Sequence, residues 1–146
     1  MKRILILIFG LLPFLKATAQ VEISTSQLVG TKWERVAPIS KWEKTRAVFS
    51  ESRYSDSSYN ELLKNSVFRS LEYYISSKKP SLDKFNRACV GKEQKGKYLV
   101  VYYPKIDKVD YFTIESFTED ELILFHKALP DAIPAIDVLI KFKRIN

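Results

Sequence analysis

The 146-residue chain has one cysteine, one histidine, four glycines and one methionine, and no apolar run long enough to span a bilayer. Each scarcity excludes something. A single thiol, Cys89, cannot form an internal disulfide, so the fold must be held by burial. A lone histidine, His126, without a second histidine or a nearby cysteine cannot supply the three or four protein ligands of a zinc site, and no metal site is expected. Four glycines, one of them Gly10, leave no glycine-rich phosphate loop. Repeats, Pro-rich or Gly/Ser-rich linkers and charge blocks are missing as well, so nothing marks an internal boundary.

What is present begins with a targeting pattern. Lys2 and Arg3 precede an apolar stretch, Ile4 to Leu15, and Ala17-Thr18-Ala19 supplies small residues at the spacing of a cleavage site. We expect residues 1–19 to be a signal peptide, residues 20–146 to be one domain, and the mature protein to be secreted or periplasmic. A dozen apolar residues fall short of the roughly 20 that cross a bilayer, so the chain is not expected to span a membrane. A lipid anchor would need a cysteine at the cleavage point, and Cys89 is far from it. The formal charge of +7 falls to +4 without Lys2, Arg3 and Lys16, with 21 basic against 17 acidic residues. The densest basic stretch, Lys92 to Lys97, includes Glu93 and resembles a solvated loop, so no nucleic-acid partner is expected.

Along the rest of the chain the pattern is that of strands. Short runs rich in Val, Ile, Tyr, Phe and Thr alternate with turn residues, and the helical period fits almost nowhere. Strands are expected over Leu28–Val36, Lys44–Ser50, Val67–Ser76, Lys97–Tyr103, Val109–Ser116, Leu122–Lys127 and Ile136–Ile145. Thr45, Ala47 and Phe49 share one face of the second run, and Ile136, Val138, Ile140 and Phe142 share one face of the last. Ser58-Tyr59-Asn60-Glu61 has the spacing of a capping box and suggests a short helix or turn from Tyr59 to Lys64. Ser81 to Gly91 reads as a connection whose Leu82, Phe85, Cys89 and Val90 tuck under the sheet. Seven or eight antiparallel strands must stack as two sheets or close on themselves, and closure removes the free edges. The expected fold is therefore all-β, a single antiparallel up-and-down barrel of about eight strands.

Three stretches carry a family resemblance. Leu28-Val29-Gly30-Thr31-Lys32-Trp33 resembles the first-strand signature of lipocalins, and Phe142-Lys143-Arg144-Ile145 resembles their last-strand arginine. Thr113 to Leu124, with Tyr73-Tyr74-Ile75-Ser76 and Gly96-Lys97-Tyr98, is similar to small exported lipocalin-like domains of Bacteroidetes-type bacteria. The resemblance implies a lipocalin-like barrel closed at one end by Gly30, Trp33 and Arg144, the arginine lying across the indole.

No catalytic residue or cofactor is expected. Cys89 has only His126 as a conceivable base, and the carboxylates Asp107 with Asp110, and Glu119 with Asp120 and Glu121, fall where turns are expected. Aromatics are the positive signal, because buried tyrosines need partners for their hydroxyls and suit a pocket with apolar walls and polar anchors. The expected ligand residues are Phe49, Tyr74, Tyr98, Tyr102, Phe112 and Phe142, and the expected partner is a small apolar or amphipathic molecule. The alternative is a packed interaction or structural module of the cell envelope; nothing in the sequence points to a protein partner.

Overall fold

A computed structural model describes residues 21–36, 41–128 and 135–146. The expected signal peptide, residues 1–19, lies outside these residues. Within them the chain is all-β: β1 (Ile23–Ser24), α1 (Thr25–Leu28), β2 (Lys32–Arg35), β3 (Glu43–Phe49), β4 (Arg53–Asn60), β5 (Asn65–Ser76), a 3-10 turn (Arg87–Cys89), β6 (Lys95–Gly96), β7 (Tyr98–Tyr103), β8 (Lys108–Phe117), β9 (Glu121–His126) and β10 (Val138–Ile145). Eight of the strands form a closed antiparallel barrel in the order β10-β2-β3-β4-β5-β7-β8-β9. Each strand pairs with the barrel strand before it in sequence, and β10 closes the ring on β2 through Phe142 opposite Arg35 and Arg144 opposite Trp33. Among the described residues no helix is long and apolar enough to cross a membrane.

Strand alternation and register decide which side chains enter the barrel. Trp33, Ala47, Phe49, Tyr54, Leu71, Tyr73, Ile75, Leu99, Val101, Ile114, Leu122, Leu124 and Phe142 form one buried cluster, so their parity marks the inner face of each strand. The strands all reach this cluster from the same end. The short connections after β3 and β8, the long segment after β5 and the end of β10 lie there, whereas the connections after β2, β4, β7 and β9 lie at the other end, the mouth. A plug covers the first end: Ile23 and Leu28 join the cluster, and β1 is fixed by pairing with β6, Ile23 opposite Gly96. Gly30, at φ 79°, turns the chain out of α1 into β2, and its amide donates to the Phe49 carbonyl at 2.9 Å.

Lys92–Lys97 is thus not all solvated loop, since Lys95 and Gly96 form β6. Gly96 is required there by sterics: a Cβ would fall on the Ser76 carbonyl and the Ser77 amide, both backbone and unable to swing aside. Gly96→Ala is expected to cost about 1–3 kcal/mol by overpacking, read as a lower urea midpoint. An unchanged midpoint would show that the plug is not held at this crossing.

Three local expectations are corrected. Leu28 ends α1 and the first barrel strand begins only at Lys32. Tyr59 and Asn60 belong to β4, and Glu61–Lys64 is a hairpin turn. There the Ser58 hydroxyl bonds across the sheet to Thr45 at 2.9 Å, while the Asn60 side-chain carbonyl takes the amides of Leu62 and Leu63. With its hydroxyl used by the sheet, Ser58 does not start a helix. Finally, Leu82 remains 38% exposed, although Phe85, Cys89 and Val90 do cover the outside of the sheet.

Candidate functional site

The inner face divides into a dry half and a wet half. At the plugged end Trp33, Tyr73, Ile75, Leu99 and Val101 have no accessible surface, which means that no space the size of a water touches them. The indole Nε1 of Trp33 donates to Thr31 Oγ1 at 2.7 Å, its ring meets Phe117 edge-on at 6.0 Å, and the Arg144 guanidinium lies 5.8 Å from its centroid. Phe49 packs against Tyr54 at 5.2 Å and Tyr73 at 5.5 Å. This half is filled.

Toward the mouth the inward positions become polar and accessible. On β3, Ala47 and Phe49 are buried but Thr45 and Glu43, on the same face, are only half-buried. Across the wall, Asp56 on β4 lies opposite Arg69 on β5, whose Nε and Nη2 bind its carboxylate oxygens at 2.9 and 2.6 Å. The Asp56 side chain is 4% exposed and that of Arg69 53%, so the arginine bridges from a buried carboxylate to solvent. The hydrogen bonds to Asp56 hold the Arg69 guanidinium above its usual range. On β8 and β9, Asp110 and His126 face each other, Oδ2 to Nε2 at 2.7 Å, with Phe112 5.2 Å from the imidazole ring. Tyr54 and Tyr103 lie between the halves. Burial, then the Asp56 carboxylate, pushes the Tyr54 phenol far above its ordinary value, and burial raises the Tyr103 phenol, opposed by Arg69 and reinforced by Asp110 and Asp56.

Arg35 is the unsatisfied member. It follows Trp33 on the inner face of β2, beside Phe142, and is half-buried. Its Nε is buried without a hydrogen-bond partner, and among the described residues no carboxylate lies within ion-pair reach of its guanidinium.

The six aromatics expected at a ligand site occupy three places. Phe49 and Phe142 are in the filled half; Phe112, on the inner face of β8, is half-buried against the same cluster and beside the His126 ring. Tyr74, Tyr98 and Tyr102 point outward, under or beside the 77–94 segment: Phe85 lies 5.3 Å from the Tyr74 ring and stacks on Tyr102 at 5.2 Å, and Tyr98 meets Tyr111 at 5.6 Å. They build a second small core on the outer wall and do not face the barrel interior. Asp110 is on a strand and not at a turn, Asp107 ends the β7–β8 turn and takes the Tyr102 hydroxyl at 2.7 Å, and the Glu119-Asp120-Glu121 acids are at the plugged end. Cys89 is half-buried on the outer wall, away from His126.

The mouth can therefore offer hydrogen bonds, a bidentate guanidinium, an imidazole held by a carboxylate, and apolar contacts from Phe112 and Ile140. Among the described residues no hydroxyl or thiol is bonded to His126, and no group of three His, Cys, Asp or Glu side chains is placed to hold a metal ion. Comparison with known proteins gives no match among protein-family models, curated proteins or solved structures.

Proposed function

We propose that the chain is an exported, non-enzymatic, lipocalin-like barrel whose mouth takes a small amphipathic molecule bearing an anionic group. Arg35 carries this reading. A buried donor left without a partner costs about 1–3 kcal/mol, and a carboxylate or similar anion at the mouth would remove that cost while neutralising a cation that pairs with no carboxylate among the described residues. Phe112 and Ile140 supply the apolar side of the same opening, and the filled half below limits the ligand to a small one. Export rests on the basic start and apolar run of residues 1–19.

The reading is tested by titrating the protein with a fluorescent fatty-acid probe. Saturable binding is expected, displaced by unlabelled carboxylates and weakened about 10- to 100-fold by Arg35→Met, the range set by loss of a charge-assisted hydrogen bond. Phe49→Leu, in the filled half against Tyr54 and Tyr73, is expected to leave it unchanged. No saturable binding by the unmodified chain would defeat the proposal and favour the second reading, a packed interaction module, which the filled plugged half supports.

A further inference from the structure

Exposed apolar side chains are normal when scattered singly and informative when gathered. Here they are gathered. Of the twelve large hydrophobic residues exposed among the described residues, ten lie in the connections around the mouth or in the strand ends that feed them, Val48 and Leu82 being the others. All four mouth connections contribute: Trp42 at 42% exposure before β3, Leu62 and Leu63 at 67% and 66% in the β4–β5 turn, Ile106 at 63% in the β7–β8 turn and Ile136 at 60% before β10. Phe68, 70% exposed, stands just beyond the β4–β5 turn on the outer face of β5. Together they make a crown of separate tips around the opening.

Lysines are interleaved with these tips. Lys41, Lys64, Lys105, Lys108 and Lys127 lie in or beside the same connections, and among the described residues none is in an ion pair. Of the nearby acids among the described residues, Glu61 pairs with Lys44 at 3.0 Å, Asp107 takes the Tyr102 hydroxyl, and Asp137 takes the Ala128 amide. The mouth therefore carries five lysines that pair with no carboxylate among the described residues.

We propose that the mouth docks on an anionic lipid surface, the Leu62–Leu63 turn and Trp42 entering at headgroup depth and the lysines meeting lipid phosphates. The composition favours lipid over protein: the core of a protein–protein interface is depleted in lysine, whereas an interfacial anchor combines Trp, Phe and Leu with lysines that reach to the head groups. Charge complementarity specifies an anionic surface, whose potential attracts each nearby lysine and falls off within a Debye length. Docking is independent of the ligand reading, because it needs only the outer tips and lipid.

Trp42 provides the test. The chain has two tryptophans, and Trp33 is fully buried at the plugged end while Trp42 is in the crown. The full chain, with no ligand added, is mixed with vesicles of phosphatidylcholine alone or with about one-third phosphatidylglycerol, in each case with acyl chains brominated to quench fluorescence on contact. Quenching is expected on the anionic vesicles, with about tenfold weaker partitioning on the neutral ones. Leu62→Ser with Leu63→Ser should weaken partitioning about tenfold at an unchanged urea midpoint, since both side chains are exposed, and Lys64→Glu with Lys105→Glu should abolish the preference for anionic lipid. Reading Trp42 against the turn variant separates crown contact from attachment through the apolar run at residues 4–15. The proposal is overturned if the unmodified chain shows no quenching, if the turn variant is quenched equally, or if the lipid-free chain forms a dimer that the same variant abolishes. That last outcome would assign the crown to a second copy of the chain.

Discussion

Replacing Trp33 with alanine is expected to lower the unfolding free energy by about 3–5 kcal/mol, the usual cost of emptying a large aromatic site in a packed core. The indole has no accessible surface, donates to Thr31, and is enclosed by Phe117 and Arg144. The neighbours cannot collapse into the space easily, because Trp33 is held between Arg144 on β10 and Ala47 on β3 at fixed register. Against a total stability of roughly 5–15 kcal/mol for a domain of this kind, such a loss brings the fold close to its limit. Trp33→Phe should retain most of it, losing the hydrogen bond and part of the area, and Arg144→Ala should cost less than about 1 kcal/mol because that side chain is exposed. Urea unfolding of the three variants checks the order. A Trp33→Ala loss below about 1 kcal/mol would mean that the plugged end is not the anchor of the barrel.

Alkaline pH should be the second large effect. The Tyr73 phenol is pushed up to about 12 by burial, its hydroxyl donating to the Ser50 carbonyl at 2.8 Å, and Tyr54 is raised further still. A phenol raised in the folded state favours the protonated form, so its contribution is complete below the unfolded value near 10 and disappears as pH climbs toward the folded value. For Tyr73 the window is pH 10 to about 12 and the loss roughly 2–3 kcal/mol, with Tyr54 adding to the slope over the same range and beyond it. The urea midpoint should fall steeply above pH 10 after correction for lysine and arginine titration at the surface. Tyr73→Phe should be less stable at neutral pH by about 1 kcal/mol, the worth of one hydrogen bond, and should lose stability less steeply above pH 10. A midpoint that the substitution leaves equally steep would remove Tyr73 from the account.

The barrel was legible wherever one face of a strand is dry. β7, β8 and β10 announce themselves through alternating apolar residues, and Thr45, Ala47 and Phe49 share the inner face of β3 as their spacing implies. β4 was not legible, because its inner face ends in the wet half: Tyr54, Asp56 and Ser58 carry no apolar rhythm, and its outer face is polar as well. Its ladders with β3 and β5 hold it extended, and those are long-range contacts that no local window contains. The tyrosines misdirect for a related reason. Period two says that Tyr74, Tyr98 and Tyr102 oppose Tyr73, Leu99 and Val101, but the 77–94 segment buries the outer wall too, so both faces look like core. Of the mouth, Phe112 was visible as an aromatic in a strand. Arg35, Asp56, Arg69 and Asp110 were not, since charged residues in strands ordinarily face solvent. The available signal was Arg35 two positions after Trp33, on the same face.

Because every barrel strand pairs with the one preceding it, the ring has a single seam joining distant parts of the chain, β2 with β10. Assembly can proceed as a succession of neighbouring hairpins, all closing shorter loops than the seam and only the β5–β7 pair a long one, while the seam must bring together the two termini of the sheet and bears the largest chain-entropy cost in one late step. Until it forms, the curled sheet exposes two unpaired edges to other copies of itself, so the speed of that last closure governs how much of the chain reaches the barrel before it can aggregate.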